Sequence, residues 1–269
     1  MSGESGDQEM NQDDRRKYLI KGLLKERPEY ENMQIPSDAG EQKMLLRSLM
    51  NIRMPKKMDY AFLQIQDAYL SEENEKKGIV TLADIREVQP DLSIWRGDIT
   101  RLRVGAIVNA ANSGMTGCYQ PCHNCIDNCI HTYAGMQLRS FCSEMMEEQG
   151  YAEPTGQAKI TPAYNLPCRY VLHTVGPIVG GHLTETHCRQ LADCYRSCLS
   201  LAAENGLKSV AFCCISTGEF HFPNEKAAEI AVATVKEFLA QKETSVEKVI
   251  FNVFKDRDRE IYEELLGEK

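Results

Sequence analysis

The sequence of 269 residues has no long hydrophobic run and no surplus of basic side chains. No stretch approaches the ~18 uninterrupted apolar residues of a membrane-spanning helix, so we expect no membrane segment. Lys and Arg number 31 against 39 Asp and Glu, which leaves a net charge of −8. This balance disfavours nonspecific nucleic-acid binding, because excess basic residues are needed to neutralise phosphates. A small anionic ligand could still be held by backbone amides.

The start of the sequence also lacks the pattern of a targeting signal. Residues 1–14 contain five acidic and no basic side chains. A secretory signal has basic residues followed by an apolar run, and a mitochondrial presequence is poor in acids. We therefore expect a cytosolic or nuclear protein, assign it to the cytoplasm, and interpret residues 1–14 as an acidic flexible tail.

Cysteine, by contrast, is abundant but unevenly placed. Four of the 11 cysteines fall between positions 118 and 129, and others lie inside helical or strand-like segments. In a reducing compartment this distribution indicates a metal site and small buried side chains rather than a disulfide framework.

The first third of the chain differs in pattern from the rest. Residues 15–90 are rich in charge and in helix formers, and Pro28, Pro36 and Pro55 divide them into short pieces. Apolar side chains recur there at helical intervals. The pattern predicts a small helical extension that packs against the main domain.

Residues 91–269 alternate between strand-like and helix-like segments. They include one long helix predicted from about residue 126 to Gly150 and a predicted apolar strand over residues 209–216. Such alternation indicates an α/β domain whose mostly parallel or mixed sheet is covered by helices on both faces. Ligands of such folds gather at the carboxyl ends of the strands.

Polar residues follow two predicted strands. Asp98 lies in the segment WRGDIT, where its carboxylate could accept a hydrogen bond from adenine, although capping of the next turn is the commoner role. Asn109 and Asn112 could orient a ribose, while Gly114 and Gly117 allow close backbone approach. A simple Asn-Gly turn is an equally good interpretation of that second segment.

Two later segments also follow strands. The loop that begins with Ser216 could cradle a diphosphate with its amides, and Phe220 or Phe222 could form an apolar wall. This signal is weaker than a P-loop, because no Gly-Lys-Ser/Thr follows. Phe254 leaves the last strand and could stack on a base, although a core position is the default for phenylalanine.

The segment CYQPCHNCIDNCIH has the spacing of a metal site. Cys118, His123 and Cys125 bring two thiolates and an imidazole into one short loop, a ligand set that suits zinc. Cys122 or Cys129 could add a fourth ligand and close the site. The alternatives differ in function, because four protein ligands only stabilise, whereas three leave a position for water or substrate.

Asp127 follows this segment at the predicted start of a helix. Its charge is favoured there by the helix dipole, which is one sufficient reason for its presence. Beside an open metal site, the same carboxylate is placed to handle a water molecule or a sugar hydroxyl.

Together, the segments from about Ser93 onward resemble the macrodomain family. Five motifs occur in the family's order: GDIT, VNAAN, the Asp-x-x-Ile-His-x-x-Ala-Gly run from Asp127, the late STG loop and the aromatic residue after the last strand. The resemblance implies a three-layer α/β/α sandwich with a mixed sheet that binds ADP-ribose. It places Asp98, Ile99 and Phe254 at adenine and Asn109 and Asn112 at the distal ribose. It places the diphosphate against Ser216, Thr217, Gly218, Glu219 and Phe220.

The segment GCYQPCHNCIDN stands where common hydrolytic macrodomains have a glycine-rich loop. In this respect the chain resembles a zinc-containing, mainly microbial subclass that also carries an N-terminal helical extension. The resemblance implies one Zn²⁺ held by Cys118, His123 and Cys125, with Cys122 incidental and the fourth position open toward the distal ribose.

The same resemblance implies a protein-ADP-ribose hydrolase that removes mono-ADP-ribose, expected from an acidic side chain. Zinc, Asp127 and Asn112 would position the water and the ribose, and the sequence leaves open whether Asp127 or a substrate phosphate takes the proton. Relatives imply a lipoyl carrier protein, modified by a sirtuin-type transferase, as a possible substrate. The alternatives are an ADP-ribose reader with a structural zinc and a zinc-stapled interaction domain unrelated to nucleotides.

Overall fold

The computed structural model describes residues 10–30, 32–241 and 244–267, so positions 1–9 of the expected acidic tail lie outside the described residues. The helices are α1 (Gln12–Lys25), α2 (Ala39–Ile52), α3 (Tyr60–Lys76), α4 (Ile126–Ala134), α5 (Met136–Gln149), α6 (Glu185–Glu204), α7 (Asn224–Leu239) and α8 (Asp256–Leu266). The strands are β1 (Val80–Thr81), β2 (Glu87–Gln89), β3 (Leu92–Arg96), β4 (Leu102–Arg103), β5 (Ala106–Ala110), β6 (Ala158–Pro162), β7 (Tyr170–Thr174), β8 (Ser209–Phe212) and β9 (Lys248–Val253).

Helices α1 to α3 form the N-terminal extension, and each begins at a capping side chain. Asn11 accepts a hydrogen bond from the first turn of α1, and Asp38 and Asp59 do the same for α2 and α3. Helix α1 includes Asp13 and Asp14 in its first turn, where the helix dipole favours acids. The three helices enclose a hydrophobic cluster of their own, built from leucines and a few larger side chains.

A seven-stranded mixed sheet forms the centre of the remaining chain, in the order β2-β3-β9-β8-β5-β7-β6. Strands β2 and β6 at the two edges are antiparallel to their neighbours, and the five between them are parallel. The inner strands are almost continuously apolar because helices cover them on both faces. The predicted α/β/α architecture with a mixed sheet is thus confirmed. Within the described part of the chain, no helix is long and apolar enough to cross a membrane.

Two predicted elements differ from the structure. The single helix expected up to Gly150 is two helices, α4 and α5, separated at Gly135. Gly135 has a φ of +103°, and a Cβ atom there would lie 2.8 Å from the side-chain nitrogen of Gln66 in α3. The positive φ favours glycine at the point where the two helices separate. The apolar strand expected up to Ser216 ends at Phe212, and the residues after it form the turn into a loop.

Candidate active site

Asp127 and the two asparagines meet at the carboxyl end of β5. Asn109 lies in this buried central strand, and its Nδ2 donates to Oδ1 of Asp127 at 2.8 Å. Nδ2 of Asn112, just beyond the strand, lies 3.3 Å from Oδ2 of the same carboxylate and 3.1 Å from the carbonyl oxygen of Gly117. Both oxygens of Asp127 thus receive an amide, which gives the carboxylate a defined orientation at the start of α4.

The Asp127 carboxyl group is buried behind the surface of the cleft. Burial raises its pKa to about 6, although the hydrogen bond from Asn109 and the positive charge of Arg139 act in the opposite direction. A carboxylate with a raised pKa is a better proton acceptor than an ordinary surface aspartate. The position is therefore chemically suited to activate a water molecule.

His173 sets the orientation of Asn109, a role that the sequence analysis did not assign. The two residues are register partners in β5 and β7, and Nδ2 of Asn109 lies 3.1 Å from Nδ1 of His173. Because Nδ2 can only donate, Nδ1 of His173 accepts, and its Nε2 donates to Oγ1 of Thr161 at 2.9 Å. The available signal was a histidine inside the otherwise apolar strand YVLHT.

Cys118, His123 and Cys125 come together as predicted from their spacing. Their ligand atoms all lie within 4.8 Å of one another, and Sγ of Cys118 is 3.6 Å from Nδ1 of His123. Two sulfurs and one imidazole nitrogen at this separation fit a tetrahedral zinc ion. Cys122 and Cys129 do not join the cluster among the described residues. Their sulfurs instead contact helix α2.

A second group of possible ligands, His131, Cys142 and His173, lies deep in the core. Both ring nitrogens of His173 are already engaged, by Asn109 and Thr161. His173 therefore belongs to the hydrogen-bond network around Asp127 and is not a free ligand.

Asp98 caps a short turn and is also paired with the extension. Its Oδ1 accepts from the backbone nitrogen and the hydroxyl of Thr100, at 3.0 and 2.6 Å. Its Oδ2 lies 3.0 Å from Nζ of Lys77, which follows helix α3. Burial acts to raise the pKa of Asp98, but Lys77 and Thr100 outweigh it, so the pKa is lowered. Asp98 therefore caps the turn, and a contact with adenine would be a second role of the same carboxylate. Ile99 beside it is buried.

Phe254 stands free at the end of β9, with 73% of its surface exposed. The default expectation of a core phenylalanine is therefore wrong at this position. An exposed aromatic face at a parallel strand end is available for stacking on a base.

The loop after β8 lies against the metal cluster. Ser216 adopts a left-handed conformation with a φ of +65° and has a buried hydroxyl without a hydrogen-bond partner among the described residues. Oε1 of Glu219 lies 3.9 Å from Nε2 of His123. Phe220 is half-buried, whereas Phe222 is buried in the core, so only Phe220 of the two can line a ligand. Thr217 is half-buried, whereas Gly218 is exposed.

Comparison with known proteins agrees with this geometry. Residues 108–231 match the sequence profile of the Macro domain. The chain is 60% identical over 262 residues to the protein-ADP-ribose hydrolase of Treponema medium, covering 96% of this chain and 100% of that protein. It is 46% identical over 253 residues to the protein-ADP-ribose hydrolase of Staphylococcus aureus strain MSSA476, covering 93% and 94% of the two chains.

Solved structures show the same similarity. The Oceanobacillus iheyensis macrodomain with ADP is 36% identical, with a TM-score of 0.60 over 68% of this chain and 94% of that one. The Trypanosoma brucei macrodomain in complex with ADP-ribose is 31% identical, with a TM-score of 0.64 over 82% of this chain and 95% of that one.

Proposed function

The chain belongs to the macrodomain family, and on that premise we propose that it is a zinc-dependent hydrolase that removes mono-ADP-ribose from modified proteins. The hydrolase class rests on relatives that carry this name and align with nearly the whole chain. The observation that carries the catalytic assignment is Asp127, held by Asn109 and Asn112 and separated by a single residue from Cys125 of the metal cluster.

The proposed ligand path runs along the carboxyl ends of the parallel strands. Adenine would lie at Asp98 and Ile99 with Phe254 stacked on it, because Phe254 exposes its ring there. The diphosphate would meet the loop that begins at Ser216, whose buried hydroxyl has no hydrogen-bond partner among the described residues. The distal ribose would then reach Asn112 and the metal cluster.

The zinc assignment is supported by the donor set and its geometry. Two cysteines and one histidine supply three ligands within 4.8 Å of one another, and the described residues bring no fourth Cys, His, Asp or Glu to this group. When bound, zinc would act as a Lewis acid toward a ribose hydroxyl or a water molecule in the remaining position.

The protein residues would position the reacting groups. Asn109 and Asn112 each donate to one oxygen of Asp127, which fixes the orientation of the carboxylate, and Nε2 of His131 lies 3.5 Å from Oδ1. We assign to Asp127 the orientation of the attacking water, and to Asn112 contacts that orient the ribose. Proton removal falls to Asp127 or to a phosphate of the ligand.

An acidic side chain is the proposed attachment point of ADP-ribose. A carboxylate leaves without being protonated, whereas an alcohol or amine leaving group requires a general acid, and glycosidases supply that acid with a second carboxyl group. In the described site, Asp127 is the carboxylate that contacts both asparagines. A single positioned carboxylate suits an ester substrate.

The substrate protein and the cellular location are also proposals. We propose a cytoplasmic enzyme, which is compatible with the presence of 11 free cysteines. A lipoyl carrier protein modified by a sirtuin-type transferase is the proposed substrate, on the basis of family resemblance.

One assay tests the proposed function. The purified chain is incubated with a protein that carries mono-ADP-ribose on glutamate or aspartate, before and after removal of metal by a chelator. We expect about one zinc per chain, rapid release of ADP-ribose, and loss of release after chelation that added Zn²⁺ restores. Unchanged release by the metal-free protein contradicts zinc dependence. Binding of ADP-ribose without release by the zinc-loaded protein would make it a reader instead.

A further inference from the structure

One face of helix α2 in the extension lies against the loop that carries the proposed metal ligands. Nη2 of Arg47 donates to the carbonyl oxygen of His123 at 2.6 Å and to Oδ1 of Asn128 at 3.0 Å. It also lies 3.7 Å from Sγ of Cys129. Arg47, which lies in the extension, thus holds the backbone of one proposed ligand, His123. It also holds the first turn of α4, a helix that begins directly after Cys125.

The next contacts of α2 hold the turn between the ligands. Cys122 has a φ of +53°, a left-handed conformation that non-glycine residues rarely adopt without support. Its backbone nitrogen donates to Oδ1 of Asn51 at 2.9 Å, and its sulfur lies 3.2 Å from Oγ of Ser48. Asn51 is itself buried, and its Nδ2 donates to Thr132 of α4 at 2.9 Å.

Arg139 of helix α5 completes the connection from the other side. Its Nη1 donates to the carbonyl oxygens of Asn51 and Arg53 at 2.7 and 2.8 Å, at the carboxyl end of α2 where the helix dipole is negative. Its Nε donates to Thr116 at 2.7 Å, and its Nη2 donates to the carbonyl oxygen of Cys118 at 3.2 Å. One buried guanidinium therefore joins α2 to the first metal ligand.

We propose that helix α2 is part of the metal site, with Arg47, Ser48 and Asn51 as positioning residues that hold the ligand loop ready for zinc. This inference rests on the proposed function, since it assumes that Cys118, His123 and Cys125 bind zinc. Residues 47, 48 and 51 lie on one side of the helix and contact the loop together. A loop held in its binding conformation loses less entropy when the ion binds, so zinc affinity depends on the extension.

The test measures zinc affinity of the full chain by competition with a coloured chelator. We expect Arg47→Ala and Asn51→Ala to weaken Zn²⁺ binding ~10-fold to 100-fold, the usual loss when residues that orient metal ligands are removed. Lys43→Ala is the matched control, because it removes a cation from the same helix but pairs with Glu73 of α3 at 2.6 Å. Its zinc affinity should equal that of the wild type.

A second readout separates positioning from general stability. Thermal unfolding of metal-free Arg47→Ala should stay close to that of the metal-free wild type, because Arg47 is half-buried, while the increase in Tm caused by a fixed zinc concentration becomes smaller. Hydrolysis by Arg47→Ala should recover its wild-type kcat at saturating zinc, because the ion then completes the loop. A folding defect would reduce kcat at every zinc concentration.

The outcomes distinguish this proposal from the proposed function. A wild-type chain that takes up no zinc contradicts the proposed function. If the wild type takes up zinc and Arg47→Ala binds zinc with the same affinity, only the role of α2 is contradicted, and the proposed function stands. If Asn51→Ala does not fold, Arg47→Ala and Ser48→Ala decide the question, because both side chains are only half-buried. Unchanged zinc affinity in that pair overturns the proposal.

Discussion

Nδ2 of Asn109 lies 2.8 Å from Oδ1 of Asp127 and 3.1 Å from Nδ1 of His173. One side-chain amide therefore connects the carboxylate at the start of α4 to a buried histidine of β7. Both amide protons are used by Asp127 and His173, so Oδ1 of Asn109 points away from these two residues. This oxygen accepts no hydrogen bond from the described residues. This relationship makes Asp127 the best-defined carboxylate of the site and leads to the first two predictions.

Asp127→Asn should reduce the release of ADP-ribose by roughly 100-fold to 10,000-fold, the range expected for loss of a general base. Asn109 and Asn112 donate to different oxygens of Asp127, so the amide of the variant would turn its NH2 group toward one of these donors. The neutral amide also cannot take a proton from water. Single-turnover assays measure the rate, and calorimetry with ADP-ribose checks that binding persists. Asp193→Asn, which removes a half-exposed carboxylate paired with Arg196, is the control. Release at the wild-type rate would remove Asp127 from the reaction.

The free energy of unfolding should fall as the pH drops below about 6.5. Burial lowers the pKa of His173 to about 3, and it lowers the pKa of His131 well below its usual value. At a pH between these lowered pKa values and about 6.5, the histidines of the unfolded chain bind protons that those of the folded chain do not. The folded state therefore loses stability as the pH falls, by about 2 kcal/mol at pH 5 for His173 alone.

Asp127 acts in the opposite direction, because burial raises its pKa to about 6. The measurement is therefore a difference between two proteins. The free energy of unfolding is measured by urea denaturation at about pH 7.5 and about pH 5. Its decrease at the lower pH should be larger in the wild type than in His173→Gln. Equal losses in the two proteins would show that His173 titrates normally.

Phe254→Ala should weaken ADP-ribose binding about 10-fold, since loss of a stacked aromatic ring costs about 1–3 kcal/mol per base. The ring is 73% exposed, so its removal should leave the free energy of unfolding almost unchanged. Calorimetric titration measures the affinity. Tyr151→Ala removes a ring that is 65% exposed elsewhere on the surface, and its affinity should equal that of the wild type. Wild-type affinity in Phe254→Ala would place adenine elsewhere.

Gly176→Ala should weaken ADP-ribose binding ~10-fold by displacing the proposed diphosphate loop. A Cβ atom there would overlap Oγ of Ser216 and lie 2.9 Å from Cγ2 of Ile215, and such overpacking costs about 1–3 kcal/mol. Gly180→Ala is the control, because its Cβ would meet nothing within 4 Å. The two variants are compared by titration with ADP-ribose. Equal affinities would mean that this loop does not bind the ligand.

Local signals made several elements predictable. The sequence predicts helices from about residue 185 to 204 and from about residue 256 to 266, and these are the bounds of α6 and α8. Thr184 caps the first of them, and Gly267 ends the second in a left-handed conformation. Both signals lie within a few residues of the helix ends, so no distant contact is needed to identify them.

Contacts between distant segments explain what sequence reasoning missed. Gly135 interrupts a periodic helical pattern, and the side chain of Gln66 in α3 lies beside it. Lys77 reaches Asp98 from the extension, and His173 becomes the partner of Asn109 only through the register of β5 and β7. None of these pairs is close in the chain, so their own sequence neighbours carry no sign of the contact.

The sequence by itself grouped the three proposed metal ligands, because Cys118, His123 and Cys125 lie within one short loop. Chain connectivity keeps such residues close in any fold, so spacing alone predicts their grouping. The tertiary structure decided that Cys122 and Cys129 stay outside the group, and their sulfurs contact Ser48 and Arg47 of helix α2. That choice depends on a helix more than 70 residues earlier in the chain, and only folding brings the two together.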